Sequence, residues 1–176
     1  MPWLTPADMS RNKSRKYITR GKRDVSAKGI ESASLQIYPK GTVLLTSRAP
    51  VGYIAIARNE VTTNQGFKSF TPNKGYPEHY IFYVLVGCMK SILNYSSGST
   101  FNEISGSILK TVPISKPPPS IAKEFSETIS NIATLQNNCE LENEALEELR
   151  NWLLPMLMNG QVTVSKASKY KRENLD

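Results

Sequence analysis

The sequence predicts an α+β protein, a loop-rich mixed α/β domain followed by one long C-terminal coiled-coil helix. Three observations carry this. Short β-type runs bounded by Gly, Pro and Ser/Asn turns fill residues 1–116. A run without Gly or Pro from Ile121 to Leu154 repeats apolar residues every seven positions. Between them stands Lys116-Pro117-Pro118-Pro119-Ser120, whose prolines enforce a stiff, extended connection. A length of 176 residues accommodates one ordinary domain and such an appendage. The expected organisation is a domain over 1–116, a proline linker and helix over 117–160, and a flexible basic tail over 161–176.

Taken in order, Gly41–Thr46, Gly52–Ala57 and Lys110–Ser115 read as strands, and Gly66–Pro72 alternates apolar and polar residues as a half-buried strand does. Glu78–Leu93 is long and poor in breakers and reads as a helix. Ser96–Thr100 reads as a loop. Ser120 is the expected N-cap of the last helix, without a capping box because Lys123 holds the third position. Pro155 is expected to break that helix and Gly160 to close its last turn. In the helix Phe125, Ile132, Cys139, Leu146 and Leu153 form one heptad column, and Ile129, Leu135 and Leu149 fill neighbouring positions. Gln136 and Asn143 interrupt a second column as polar residues that would set register at a cost in stability. A helix of roughly 50 Å carrying this stripe exceeds what the domain covers by itself, so much of the stripe should meet another helix. A helix folded back on its own domain is the other reading.

Charge is distributed unevenly. The net charge is +7, but residues 1–40 carry nine Lys/Arg against three Asp/Glu, whereas 120–160 carry two against seven. A basic body suits a polyanion, most simply nucleic acid, with a solvated basic surface as the bland alternative. Two cysteines, Cys88 and Cys139, make no disulfide framework and fit a reducing cytoplasm. The opening MPWLTPADMS has no signal-peptide core, and the apolar run Tyr80–Met89 is too short to span a bilayer.

The catalytic inventory is thin. The one histidine, His79, reads as a surface or capping residue, and one His with two distant Cys makes no zinc site. The sequence has no GxxxxGK[ST] loop, no GxGxxG loop and no Asn-Pro-Pro-aromatic tetrad. No cofactor and no metal are expected. The nucleic-acid signals are richer. Arg11, Lys13, Arg15, Lys16, Arg20, Lys22, Arg23 and Lys28 lie within eighteen residues, interleaved with polar residues and Tyr17, in a segment that reads as an exposed loop. Arg48 sits in the turn Ser47–Pro50. Asn64, Gln65 and Lys68 follow in the stretch Thr62–Phe70, where the polar side chains serve either DNA or their own turn.

Five segments, in order, resemble the specificity subunit of type I restriction-modification systems: Thr5–Met9 (TPADM), Gly41–Ala57 (GTVLLTSRAPVGYIAIA), Thr62–Phe70 (TTNQGFKSF), Gly98–Ser105 (GSTFNEIS) and Leu149–Gly160 (LRNWLLPMLMNG). The resemblance implies a target recognition domain over 1–116 and a spacer helix that pairs antiparallel with a second one. It implies double-stranded DNA as ligand, and partners that do the chemistry: a modification subunit that methylates adenine and a restriction subunit that adds ATP-driven translocation and cleavage. The chain is expected to be non-catalytic, to be half a subunit, and to lack the first strands of its recognition domain. An autonomous dimeric DNA-binding regulator and a coiled-coil interaction protein without a DNA role are the rival readings.

Overall fold

The structure, a computed structural model, describes residues 1–48, 50–96 and 103–162. Much of Gly98–Ser105, most of the expected loop at 96–100, Ala49 and most of the basic tail lie outside the described residues. The chain divides into two compact units, Met1–Asn137 and Asn138–Asp176.

Two four-stranded mixed sheets build the first unit. One contains β1 (Pro2–Leu4), β3 (Arg23–Asp24), β4 (Ile37–Tyr38) and β7 (Val61–Thr63), in the order β3-β1-β7-β4. The other contains β2 (Tyr17–Ile18), β5 (Val43–Thr46), β6 (Ile54–Ala57) and β8 (Phe67–Phe70), in the order β2-β6-β5-β8. The pairs β1·β7 and β2·β6 are parallel, and the other pairs are antiparallel. The uninterrupted apolar character of β5 follows from its place, since every residue of Val43–Thr46 is buried. Successive side chains of a strand point to opposite faces. Leu44 of β5, with Ala55 and Ala57 of β6, therefore joins Leu4, Met9, Ile18, Val61 and Phe67 in one core. Val43 and Ile56 point the other way and join Leu85 and Ile92 of helix α3 (Glu78–Ser96) in a second.

Three short helices complete the unit with α3: α1 (Pro6–Arg11), α2 (Ala27–Ser32) and α4 (Gly106–Thr111). The last of these corrects the strand expected over Lys110–Ser115. The Ser105 hydroxyl accepts the Ile108 N–H at 3.2 Å and starts a helix that takes up Lys110 and Thr111. Pro113 then leaves the segment without a ladder donor. The strands at Val43–Thr46, Ile54–Ala57 and Phe67–Phe70 and the helix from Glu78 stand where the sequence put them.

Helix α5 runs from Pro119 to Met158, 40 residues. It starts before the expected Ser120 cap. Pro119 needs no N–H at a first helical position, and the Pro118 carbonyl accepts the Ile121 N–H at 3.0 Å. It also runs through Pro155, because a proline one turn from the end removes little of the hydrogen-bond ladder. Gly160 does close it. With φ of 68° it donates to the Leu157 carbonyl at 3.2 Å, and the Gln161 N–H reaches Met156 at 2.9 Å. Among the described residues no helix is long and apolar enough to cross a membrane.

Within the first unit α5 is buried along Ala122, Ser126 and Ala133, which is not its heptad column. Small residues allow close approach there, and they leave Ile132 at 70 % and Leu135 at 65 % exposure. Phe125 departs from the expected role. Although 38 % exposed, it stands edge-on to Tyr80 at 6.5 Å and to Tyr83 at 5.8 Å, so it belongs partly to its own domain. Ile129 is half-buried. In the second unit Cys139, Leu146 and Leu149 are exposed and Leu153 is half-buried. The compact unit thus reaches Asn137, beyond the boundary expected at 116, because the first part of α5 packs on it.

Candidate nucleic-acid interface

The segment Arg11–Lys28 is not one exposed loop. It contains the end of α1, strands β2 and β3 and the start of α2, and a buried carboxylate organises its first part. Asp8, three residues into α1, accepts the Thr5 hydroxyl at 2.6 Å, the Thr5 N–H at 2.9 Å, the Lys22 N–H at 2.9 Å and the Arg11 guanidinium. Burial by itself pushes the Asp8 carboxyl up. The donors together outweigh it and hold the carboxyl below its ordinary value. Arg11, Lys22 and Arg23 are thereby gathered on one cleft of about 290 Å³, walled by Trp3, Thr5, Ala7 and Asp8.

Lys13, Arg15 and Lys16 line a second cleft of about 380 Å³, with Tyr53, Phe82, Tyr83, Val86 and Met89 among its walls. The buried Asn12 side chain closes the Lys13–Lys16 segment by donating to the Tyr17 carbonyl at 2.9 Å. Lys13 is exposed and Arg15 half-buried. Lys16 and Tyr17 correct the expectation that the whole run faces solvent. Lys16 is only 5 % exposed, and its ammonium lies 4.7 Å from the Tyr83 ring centroid and 5.2 Å from that of Phe82. Such a stack of rings takes a cation favourably when water is excluded. Tyr17 is buried, and its hydroxyl donates to the Ala133 carbonyl of α5 at 3.3 Å. Both residues are built into the domain.

The remaining candidates are dispersed. Arg20 is exposed and paired with Asp24 at 2.9 Å, and Lys28 is exposed on α2. Arg48 faces Glu103 at 3.8 Å. Lys68 lies half-buried on β8, and neither Arg48 nor Lys68 lines the two clefts. The Asn64 side-chain carbonyl accepts the Gly66 N–H at 2.9 Å, so its oxygen serves its own turn, while Gln65 beside it is exposed. His79 is half-buried and edge-on to Tyr17 at 6.4 Å. Burial and the nearby Lys16 ammonium push its pKa down, against the pull of Glu78.

Reading the sequence missed Asp8, Arg58 and Asn137. The Thr-x-x-Asp spacing of Thr5 and Asp8 at a helix start was a usable signal. Nothing local marks Arg58, whose Nε donates to Asn137 Oδ1 at 2.7 Å and whose Nη1 donates to Thr19 Oγ1 at 3.0 Å.

The chain combines a two-sheet domain carrying two basic clefts with a long C-terminal helix. Residues 1–151 match the family model described as the type I restriction modification DNA specificity domain, and the chain belongs to that family. It is 41 % identical over 161 residues to the MjaIX specificity subunit of Methanocaldococcus jannaschii, covering 88 % of this chain and 37 % of that protein. It is 25 % identical over 167 residues to the HindI specificity subunit of Haemophilus influenzae, covering 92 % and 35 %. The chain therefore spans little more than a third of these relatives. Among solved structures, one from a study of type I R-M complex assembly matches 85 % of this chain and 36 % of its own, at 19 % identity and a TM-score of 0.47. The HsdS subunit from Thermoanaerobacter tengcongensis matches 72 % and 31 %, at 21 % identity and a TM-score of 0.41.

Proposed function

We propose that this chain is the DNA-reading part of a type I specificity subunit, a non-catalytic module that steers partner enzymes to a DNA sequence. One observation carries the reading: within a DNA specificity domain family member, Arg11, Lys22 and Arg23 converge on one cleft and Lys13 and Arg15 on another. Cationic side chains held in shallow clefts suit phosphate oxygens, and the arginines also suit base edges. Arg20, Lys28, Arg48, Gln65 and Lys68 are further candidates for contact, and the amide nitrogen of Asn64 remains available to it.

Ile132, Cys139 and Leu146 of the heptad column, with Leu149 at a neighbouring position, are exposed and support pairing with a second helix, either from a second copy or from the other half of a longer subunit. A modification subunit and, through it, a restriction subunit are the proposed partners. The two unpaired cysteines support a reducing cytoplasmic setting.

Fluorescence anisotropy with duplex DNA over a salt series tests the reading. Affinity should fall with a log–log slope of about −0.9 per phosphate neutralised. Binding that ignores salt, or no binding at all when the chain is combined with a modification subunit, would overturn it.

A further inference from the structure

We infer that Arg58, acting with Tyr17 and Asn137, is a positioning residue that fixes the rotation of the first part of α5 on the recognition domain. The inference rests on the reading that this domain binds DNA.

Two sets of side-chain contacts matter for how the helix sits on the domain. Near its start, Phe125 stands edge-on to Tyr80 and Tyr83. Farther along, the Tyr17 hydroxyl reaches the Ala133 carbonyl at 3.3 Å and Arg58 Nε reaches Asn137 Oδ1 at 2.7 Å. The twelve steps from Phe125 to Asn137 span about 18 Å of helix. Two attachments that far apart set an axis, but apolar packing alone lets a helix roll about it. The hydrophobic effect that drives such packing is non-directional. Hydrogen bonds are directional, and the guanidinium is a planar fork with fixed donor directions.

Arg58 uses that fork as a bridge. Nε faces the helix, and Nη1 holds Thr19 at 3.0 Å, just past β2. Its backbone N–H donates to the Ile18 carbonyl at 2.9 Å, so the end of β6 is tied to the same place. The guanidinium carbon lies 5.6 Å from the centroid of the Tyr17 ring, the ring whose hydroxyl makes the other contact to α5. Tyr17, Thr19 and Arg58 thus form one polar seat, and Tyr17 and Thr19 belong to the segment that also carries the cations of the basic clefts. A module that reads DNA on one element and holds a partner through another conveys position only if the joint between them resists rotation.

The test places spin labels at K90C, on α3, and N131C, on α5, in a C88S/C139S background of the full chain, diluted with excess unlabelled chain so that only distances within one chain are read. Pulsed dipolar spectroscopy then reads the inter-label distance, alongside anisotropy with duplex DNA. The parent should give one narrow distance distribution. Arg58→Ala should widen it and add a displaced component, while DNA affinity changes by less than about twofold, the range of ordinary surface substitutions. Asn137→Leu should do the same. Asn137→Asp keeps the acceptor for Arg58 and should restore the narrow distribution. Should Arg58→Ala fail to fold, Tyr17→Phe removes only the hydroxyl, and Asn137→Leu still breaks the bridge. An unchanged distribution in folded Arg58→Ala or Asn137→Leu overturns the inference. So does a large loss of DNA affinity with no change in distance, which makes Arg58 a DNA contact. If the parent itself fails to bind DNA, the recognition reading falls, while the distance data still decide the joint.

Discussion

The Asp8 carboxylate accepts the backbone N–H of Lys22 at 2.9 Å, joining the first helix to the loop fourteen residues on. Replacing Asp8 by Ala leaves that donor and those of Thr5 without their partner. The expected loss is about 3 kcal/mol of stability, seen as a lower urea midpoint with an unchanged slope. Because Arg11, Lys22 and Arg23 would lose their common support, DNA affinity should fall with it.

The same carboxylate gives a pH signature. Its folded pKa lies below its ordinary value of 3.8, so the stability it contributes is present above that value and is lost as pH falls through the lower, folded one. Stability should decline more steeply below pH 4 in the wild type than in Asp8→Asn, whose side chain does not titrate there. Urea midpoints measured at pH 5, 4 and 3 for both proteins check this, and parallel curves would contradict it.

Lys13 and Lys16 should separate cleanly. Lys13 is exposed, so Lys13→Ala should leave stability within about 0.5 kcal/mol and, if Lys13 meets a phosphate, flatten the salt slope by about 0.9. Lys16 sits over the rings of Tyr83 and Phe82, so Lys16→Ala should cost roughly 1–2 kcal/mol of stability. Its salt slope should match the wild type. Equal slopes for both variants would remove Lys13 from the DNA surface.

Gly75 has φ of 82°, and a Cβ there would lie 2.8 Å from Pro119 Cβ at the start of α5. Gly75→Ala therefore meets both backbone strain and a clash. A loss of about 1–3 kcal/mol is expected on thermal or urea unfolding.

The exposed column predicts self-association. Ile132→Asp with Leu146→Asp should halve the mass of the purified chain in sedimentation equilibrium if two copies pair through α5. A wild-type chain that is already monomeric would assign the column to a helix from another protein.

The long helix and the strands Val43–Thr46 and Ile54–Ala57 were legible because periodicity and uninterrupted apolar character are local. The clefts were legible only as a basic run, with no hint that it divides between two places. The start of the helix and the expected break at Pro155 were misjudged by rule, whereas Gly160 closes the last turn as expected. Whether a proline starts, ends or merely interrupts a helix depends on which neighbouring carbonyls are left to serve, as Pro119 and Pro155 illustrate. The largest gaps involve residues far apart in the chain. Lys16 looks like any surface lysine until Phe82 and Tyr83 of α3 close over it, and Arg58 acquires its role only when Asn137, 79 positions away, arrives at its guanidinium. The amino-acid pattern determined which segments would bury apolar surface and how the charge would be distributed. Only the packing of α3 and α5 against the second sheet decided which cations face solvent, because desolvation is a property of what surrounds a side chain and is not written in its immediate neighbours.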